Sequence, residues 1–144
     1  MGNWSVLAVA AVGGVAVALQ GYFVGVLDAR IGTAESVLIT YGLGGVVIGV
    51  TLAFMRGGNL AAWRSVPWWA FLAGLLGLVI IASISYSVHR VGLVAAFTTL
   101  TVVQFVVSGL IDHFGWLGGT VRPLDATRLL GITLLLLGGW LTVR

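Results

Sequence analysis

Five long apolar stretches, almost free of charge, constrain this chain more than any other feature of its sequence. A helix needs about 20 predominantly apolar residues to cross the roughly 30 Å hydrocarbon core of a bilayer. Four of the stretches contain no charged residue. The fifth contains only Arg128, near its start, where a long side chain can reach the interface. We therefore predict five transmembrane helices, at about residues 4–27, 36–55, 67–88, 91–111 and 126–143.

The composition argues against a soluble globular domain. Charged residues make up 8% of the chain and hydrophobic residues 60%, whereas soluble proteins have about 25% charged residues. The apolar runs are continuous rather than alternating, which favours helices over the strands of a membrane barrel. The predicted fold is an all-α integral membrane protein, a five-helix bundle that forms a single transmembrane domain over residues 1–144 in contact with membrane lipids.

Residue types that several other functions require are missing. The chain has no cysteine, and therefore no disulfide and no thiolate metal ligand. Its net charge of +3 comes from scattered arginines without a basic cluster, so we expect no nucleic-acid partner. The 2 histidines are too few for a histidine metal site. No catalytic triad or carboxylate pair stands out, and we expect no enzyme activity, no metal and no cofactor.

Nearly all charged residues fall at the short connections between the predicted helices. We place Asp28, Arg30 and Glu35 in the first connection, Arg56 and Arg64 in the second, His89 and Arg90 in the third, and Asp112, Arg122 and Asp125 in the fourth. No Asp, Glu or Lys lies near the middle of a predicted span, where carboxylates commonly relay protons. We interpret Asp112 as a brace for the end of helix four and its loop, acting through Arg122.

The arginines give almost no preference for one orientation in the membrane. With five spans, one side of the membrane receives Arg56, Arg64, Arg122 and Arg128, and the other receives Arg30, Arg90 and Arg144. A clear excess of positive charge on one side normally sets the orientation. Two interpretations follow: a single topology with a weak signal, or a dual topology in which copies insert both ways.

Polar side chains form stripes on two of the predicted helices. On helix four, Thr98, Thr101, Gln104, Ser108 and Asp112 share one face, and on helix three Ser83, Tyr86, Ser87 and Arg90 do the same. Such faces are expected to point away from lipid, where they either bond to neighbouring helices or line a solvated cavity. The cavity-lining candidates are Gln20, Tyr86, Thr101, Gln104 and Ser108.

Glycine pairs predict close contacts between helices. Gly21 and Gly25 are four residues apart, and so are Gly45 and Gly49. Small residues at this spacing let helix backbones approach closely in lipid. We assign these four glycines to helix packing.

Three stretches in the second half carry a family resemblance. They are PWWAFLAGLLG from Pro67, GLIDHFGWLG ending at Gly118 and preceded by Gln104, and RPLDATRLLGITLLLLGG from Arg122. With these, the chain resembles the YdcZ-like family of small inner-membrane proteins in the bacterial drug/metabolite transporter superfamily. Gln20 matches an amide position of that family, whereas Val24 stands where an Asn is expected.

The resemblance implies a function and an assembly. Ten-helix members of the superfamily resemble two five-helix halves in inverted orientation, and this chain resembles one half. Transport sites of this kind lie at the interface of inverted repeats. The resemblance therefore implies an antiparallel homodimer, or a heterodimer with an oppositely oriented paralogue, in the bacterial inner membrane.

Three functions are compatible with these expectations. The leading hypothesis is an exporter of a small metabolite or amphipathic compound, working by alternating access as an antiparallel dimer. The second is a lipid flippase, because an apolar cavity with few charges suits an acyl chain. The third is a non-transporting subunit that pairs with a membrane partner.

Overall fold

The computed structural model describes residues 3–116 and 120–144, and these residues form helices and no strands. The helices are α1 (Asn3–Ile31), α2 (Thr33–Phe54), two short 3-10 helices (Leu60–Ser65 and Trp68–Phe71), α3 (Leu72–Val91), α4 (Leu93–Phe114) and α5 (Ala126–Val143). Each of α1 to α5 is long and apolar enough to cross a membrane. The span that contains α3 also includes the 3-10 turn before it. The predicted all-α membrane fold with five spans is confirmed.

The chain divides into two compact units, and the first, Met1–Arg90, contains α1, α2 and α3. α2 packs along α1 and also contacts α3, where the Tyr41 hydroxyl lies against Gly77. The small apolar core of this unit consists of Val24, Ile81, Ile84 and Val88, all buried. The single transmembrane domain expected over residues 1–144 stays a prediction.

The second unit, Val91–Arg144, contains the pair of helices α4 and α5. Glycines let these two helices approach closely. A Cβ at Gly139 would lie 2.8 Å from Cγ2 of Val102, and one at Gly109 would lie 3.3 Å from Cδ1 of Ile132. In lipid, van der Waals contact of this kind replaces the hydrophobic effect as the force that holds helices together.

Most large apolar side chains lie on the outside of the chain. In the most apolar 18-residue stretch of α2, no residue is buried. In the corresponding stretch of the span that contains α3, only 22% of the residues are buried. In water, so much apolar surface would be a strong aggregation liability. In a bilayer it is solvated by acyl chains, while the backbone polar groups are bonded inside each helix.

The first and third connections are shorter than expected, because the helices before them continue. α1 extends to Ile31, so Asp28 and Arg30 are helical, and α3 extends to Val91, so His89 and Arg90 are helical too. A single glycine makes each turn, with φ of 97° at Gly32 and 84° at Gly92. Only glycine adopts these angles readily. The expectation that these four polar residues lie in loops was wrong.

Three other helix ends also differ from the prediction. α4 includes Asp112 and ends at Phe114, because Gly115 follows in the left-handed conformation that terminates many helices. Glu35 likewise lies in the first turn of α2 rather than in a loop. Pro67 precedes the 3-10 turn Trp68–Phe71, and α3 begins only at Leu72. The bounds of the fifth helix are those predicted.

Replacing Gly25 by Ala is expected to weaken the packing of α1 on α3. The added Cβ would lie 2.6 Å from Cγ1 of Val88, a β-branched side chain with little rotamer freedom. We expect the free energy of unfolding in detergent to fall by about 1–2 kcal/mol, as for other overpacked sites. Gly45→Ala is the matched control, since a Cβ there meets nothing within 4 Å. Equal stability of the two variants would contradict the close contact.

Candidate functional site

The strongest polar feature of the first unit is a buried carboxylate near the end of α1. The Asp28 side chain is only 2% exposed, and its Oδ2 lies 3.2 Å from Nη1 of Arg90 at the end of α3. Its Oδ1 accepts hydrogen bonds from the hydroxyls of Thr33 and Ser85. These partners are needed because a buried charge without them costs several kcal/mol.

Two serines extend this network between α2 and α3. The Oγ atoms of Ser36 and Ser85 lie 2.5 Å apart, and both residues are fully buried. The Ser36 hydroxyl is also 2.8 Å from the carbonyl oxygen of Thr33. We name the group Asp28, Thr33, Ser36, Ser85 and Arg90 the Asp28 cluster. It joins the end of α1, the start of α2 and the end of α3.

Arg90 connects the Asp28 cluster to the surface. Its Nη1 donates to the carbonyl of Tyr86 at 2.8 Å, and its Cζ lies 3.6 Å from the centroid of the Tyr86 ring. The Arg90 side chain is 43% exposed, so the cation–π contact and the ion pair hold it on one side while water can reach the other. A polar network whose members are all bonded stabilises one arrangement of helices. We assign the Asp28 cluster this structural role.

The second unit has a looser ion pair at the end of α4. Nη1 of Arg128 lies 3.9 Å from Oδ2 of Asp112, and the two side chains are 42% and 50% exposed. Nη1 of Arg128 is also 3.4 Å from the carbonyl oxygen of Arg122. The backbone N–H of Arg122 donates to the carbonyl of Asp112 at 2.8 Å. The backbone of Arg122 therefore contacts Asp112, whereas the Asp112 carboxylate faces Arg128.

Two hydrogen bonds hold the residues that lead into α5. Nδ1 of His113 accepts a hydrogen bond from the N–H of Leu124 at 3.1 Å. Asp125 caps α5, because its Oδ1 accepts from the N–H of Arg128 at 2.8 Å. These bonds hold Arg128 close to the end of α4. Gly118, the last residue of the second resemblance motif, lies outside the described residues.

The five cavity-lining candidates lie in both units. Gln20, Tyr86, Gln104 and Ser108 are exposed and Thr101 is half-buried. Gln20 lines an open groove of about 430 Å³ between α1 and α2. Thr101 lines one of about 530 Å³ between α4 and α5, and Ser108 lines a second of about 550 Å³ between the same helices. Since each groove is open and lies within one unit, the shared cavity stays a prediction.

The glycine pairs differ in what they contact. Gly21 and Gly25 are buried on one face of α1, and Gly25 faces Val88 of α3. A Cβ at Gly45 or Gly49 would meet nothing within 4 Å of the described chain. The role of this second pair in helix packing stays a prediction.

The Asp28 cluster was not foreseen from the sequence. The sequence pattern places Asp28 in a loop and Arg90 at a tight turn, on the polar face of helix three with Tyr86, and it does not single out Ser36 or Ser85. One sequence feature could have predicted part of this cluster. Ser85 lies on the same face of α3 as Ile81, Ile84 and Val88, and this face is buried. A hydroxyl on a buried helix face needs a hydrogen-bond partner from another segment.

The fold and these polar groups define a multi-pass α-helical membrane protein. Comparison with family models then assigns the family. The model described as "Putative inner membrane exporter, YdcZ" matches residues 5–141, so the chain belongs to that family. The resemblance noted in the second half is confirmed and extends across the first. Comparisons with curated proteins and with solved structures gave no match.

The family and the fold together give the cellular location of the protein. The family is one of the inner membrane, and the residues that the structure describes include five helices capable of spanning it. The protein is therefore a multi-pass inner-membrane protein, as expected. The family description names a transport function, export, and no enzymatic one.

Removing the charge of Arg90 should destabilise the protein more than removing that of Asp28. Arg90→Gln leaves a carboxylate that is 2% exposed without its counter-ion, whereas Asp28→Asn leaves a guanidinium that is 43% exposed and can reach water. We expect losses of about 2–4 and about 1–2 kcal/mol, respectively, in the free energy of unfolding in detergent.

Arg128→Gln is the control for this comparison. Its ion pair with Asp112 is exposed on both sides, and exposed pairs contribute only about 0–1 kcal/mol. A loss on Arg90→Gln no larger than that on Arg128→Gln would show that the Asp28–Arg90 pair is solvated in the folded protein.

Proposed function

We propose that this protein exports a small metabolite or amphipathic compound as an antiparallel dimer that works by alternating access. One observation carries the proposal: two side-chain amides lie exposed within the spans. Gln104 is at the centre of α4 (Leu93–Phe114), and Gln20 lies well inside α1 (Asn3–Ile31). An amide facing hydrocarbon leaves polar groups unsatisfied. A second protein surface or a solvated cavity must therefore meet these positions.

The distribution of arginine supports two orientations for the copies of the chain. If all five helices cross the membrane, four arginines lie on one side and three on the other. The positive-inside rule then provides almost no bias. Two copies inserted in opposite senses form the inverted repeat around which many transporters build their site.

The proposed cavity would be lined by Gln20, Tyr86, Thr101, Gln104 and Ser108. These side chains offer amide and hydroxyl groups but no charge, and the grooves beside them are mainly apolar. Such a lining suits a small compound that is largely apolar and carries a few hydrogen-bonding groups. Rocking of the two copies would expose the cavity to each side of the membrane in turn.

Pairing with an oppositely oriented paralogue is the alternative assembly, and it would use the same inverted-repeat site. In that case each chain has one fixed orientation. A topology measurement separates the two assemblies, and it needs no knowledge of the substrate.

Single cysteines at the two ends of α2 should each label to about half in intact cells. The chain has no cysteine of its own, so Ala34→Cys and Asn59→Cys are clean reporters at exposed positions on either side of this helix. Cells are treated with a membrane-impermeant maleimide, and lysed cells give the total. Half labelling at both sites supports the homodimer. Near-complete labelling at one site and none at the other would exclude it.

Gln104→Ala should lower export by about 10-fold, the usual effect of losing a hydrogen bond in a desolvated site. The measurement is efflux of a panel of cationic, neutral and anionic amphipathic dyes from cells that overexpress the protein. Thr99→Ala is the control on the same helix, since the Thr99 hydroxyl bonds to the carbonyl of Ala95 in its own helix. Unchanged efflux by a folded Gln104→Ala protein would remove this residue from the cavity.

A further inference from the structure

One groove between α4 and α5 combines an apolar wall with a charged mouth. It has a volume of about 550 Å³, and its wall includes Phe105, Ile132 and Leu135. Asp112 and Arg128 line the same groove at the end of α4 and the start of α5. Ser108 lies one helical turn from Asp112, so its hydroxyl is roughly 6 Å deeper in the span. The groove, here named the α4–α5 groove, is thus polar at one end and apolar at the other.

The ion pair at the mouth leaves room for a ligand. The distance of 3.9 Å between Nη1 of Arg128 and Oδ2 of Asp112 exceeds the 2.7–3.2 Å of a direct hydrogen bond. The contact of Arg128 with the carbonyl of Arg122 is also long, at 3.4 Å. Both charged groups are about half exposed, so little free energy is lost when they turn to other partners.

We propose that the α4–α5 groove binds a zwitterionic phospholipid whose headgroup carries a primary ammonium. The phosphate is held by the Arg128 guanidinium, whose planar fork suits phosphate oxygens. The ammonium donates to the Asp112 carboxylate. The Ser108 hydroxyl meets an ester carbonyl below the headgroup, and one acyl chain lies along the apolar wall. This site shares Ser108 with the proposed export cavity, but it lies between two helices of one chain and does not require an antiparallel dimer.

The charge at this end of the two helices favours a zwitterion over an anionic lipid. Between Asp112 and Arg128 the sequence contains two acidic residues, Asp112 and Asp125, and two arginines, Arg122 and Arg128. The carboxylate of Asp112 lies at the mouth itself, where it would repel a headgroup that carries only negative charge. A headgroup with one charge of each sign matches both members of the pair.

A substitution at Gly131 tests whether an acyl chain lies in the groove. It lines the groove, and a Cβ there meets nothing within 4 Å. Gly131→Leu should therefore place a side chain in the groove with no clash at its Cβ. Gly138→Leu is the matched control, because Gly138 lies two turns further along α5, outside this groove, and a Cβ there also meets nothing within 4 Å.

The experiment counts lipids bound to the purified full-length protein by native mass spectrometry. The probes are phosphatidylethanolamine, phosphatidylcholine and phosphatidylglycerol with identical acyl chains. We expect the wild type to bind phosphatidylethanolamine about 10-fold more tightly than the other two, since the phosphatidylcholine ammonium has no N–H to donate to Asp112 and the phosphatidylglycerol headgroup has no cation to pair with it. Gly131→Leu should lower this binding by at least about 10-fold, and Gly138→Leu should leave it unchanged.

The charged residues should act on different parts of the headgroup. Asp112→Asn should abolish the preference for phosphatidylethanolamine over phosphatidylcholine, because the carboxylate that accepts from the primary ammonium is gone. Arg128→Gln should weaken the binding of all three lipids to the same extent, because each lipid has a phosphate. Folding of each variant is checked by its elution in size-exclusion chromatography.

Three results would overturn the proposal. If the three lipids bind equally and Gly131→Leu does not change their binding, the lipids associate non-specifically. Tighter binding of phosphatidylglycerol would mean an anionic-lipid site. Loss of a dimer on Gly131→Leu, without any bound lipid in the wild type, would mean that a second copy occupies the groove. Because the test measures binding, it stands whether or not the protein exports a compound in two orientations.

Discussion

Backbone hydrogen bonding in hydrocarbon is the constraint on which the rest of this structure depends. Lipid provides no partner for an open N–H or C=O group, so each span must satisfy its own backbone as a helix. This explains why α1 and α3 continue through charged residues to the glycine turns at Gly32 and Gly92. Ending a helix earlier would expose backbone groups near the membrane, whereas a charged side chain can reach a partner or the interface.

Two ion pairs of the same chemistry have different consequences because their surroundings differ. Asp28 is buried against Arg90 and two hydroxyl groups, so its pair holds three helices in one arrangement. The pair of Asp112 and Arg128 is half exposed and 0.7 Å longer. Burial makes the first pair costly to separate, and solvation makes the second easy to separate. The first is therefore suited to structure and the second to recognition.

The exposed amides of Gln20 and Gln104 suggest how the family function arises from so short a chain. Both side chains are exposed, and Gln20 lines an open groove between α1 and α2. Under the proposed function, another protein surface would meet these amides and complete a transport site. The nearly even distribution of arginines allows that surface to come from a second, inverted copy.

The sequence by itself determined the class of fold, because lipid solvation depends only on the length and hydrophobicity of each stretch. It predicted all five spans, and the bounds of α5, where Asp125 provides a local cap. It also contained enough of the family motifs for recognition. Only the tertiary structure decided that Asp28 meets Arg90 and Ser85, or that the Asp112 carboxylate faces Arg128 rather than Arg122. These contacts join residues on different helices, and the periodicity of one helix carries no information about which face of another helix it meets.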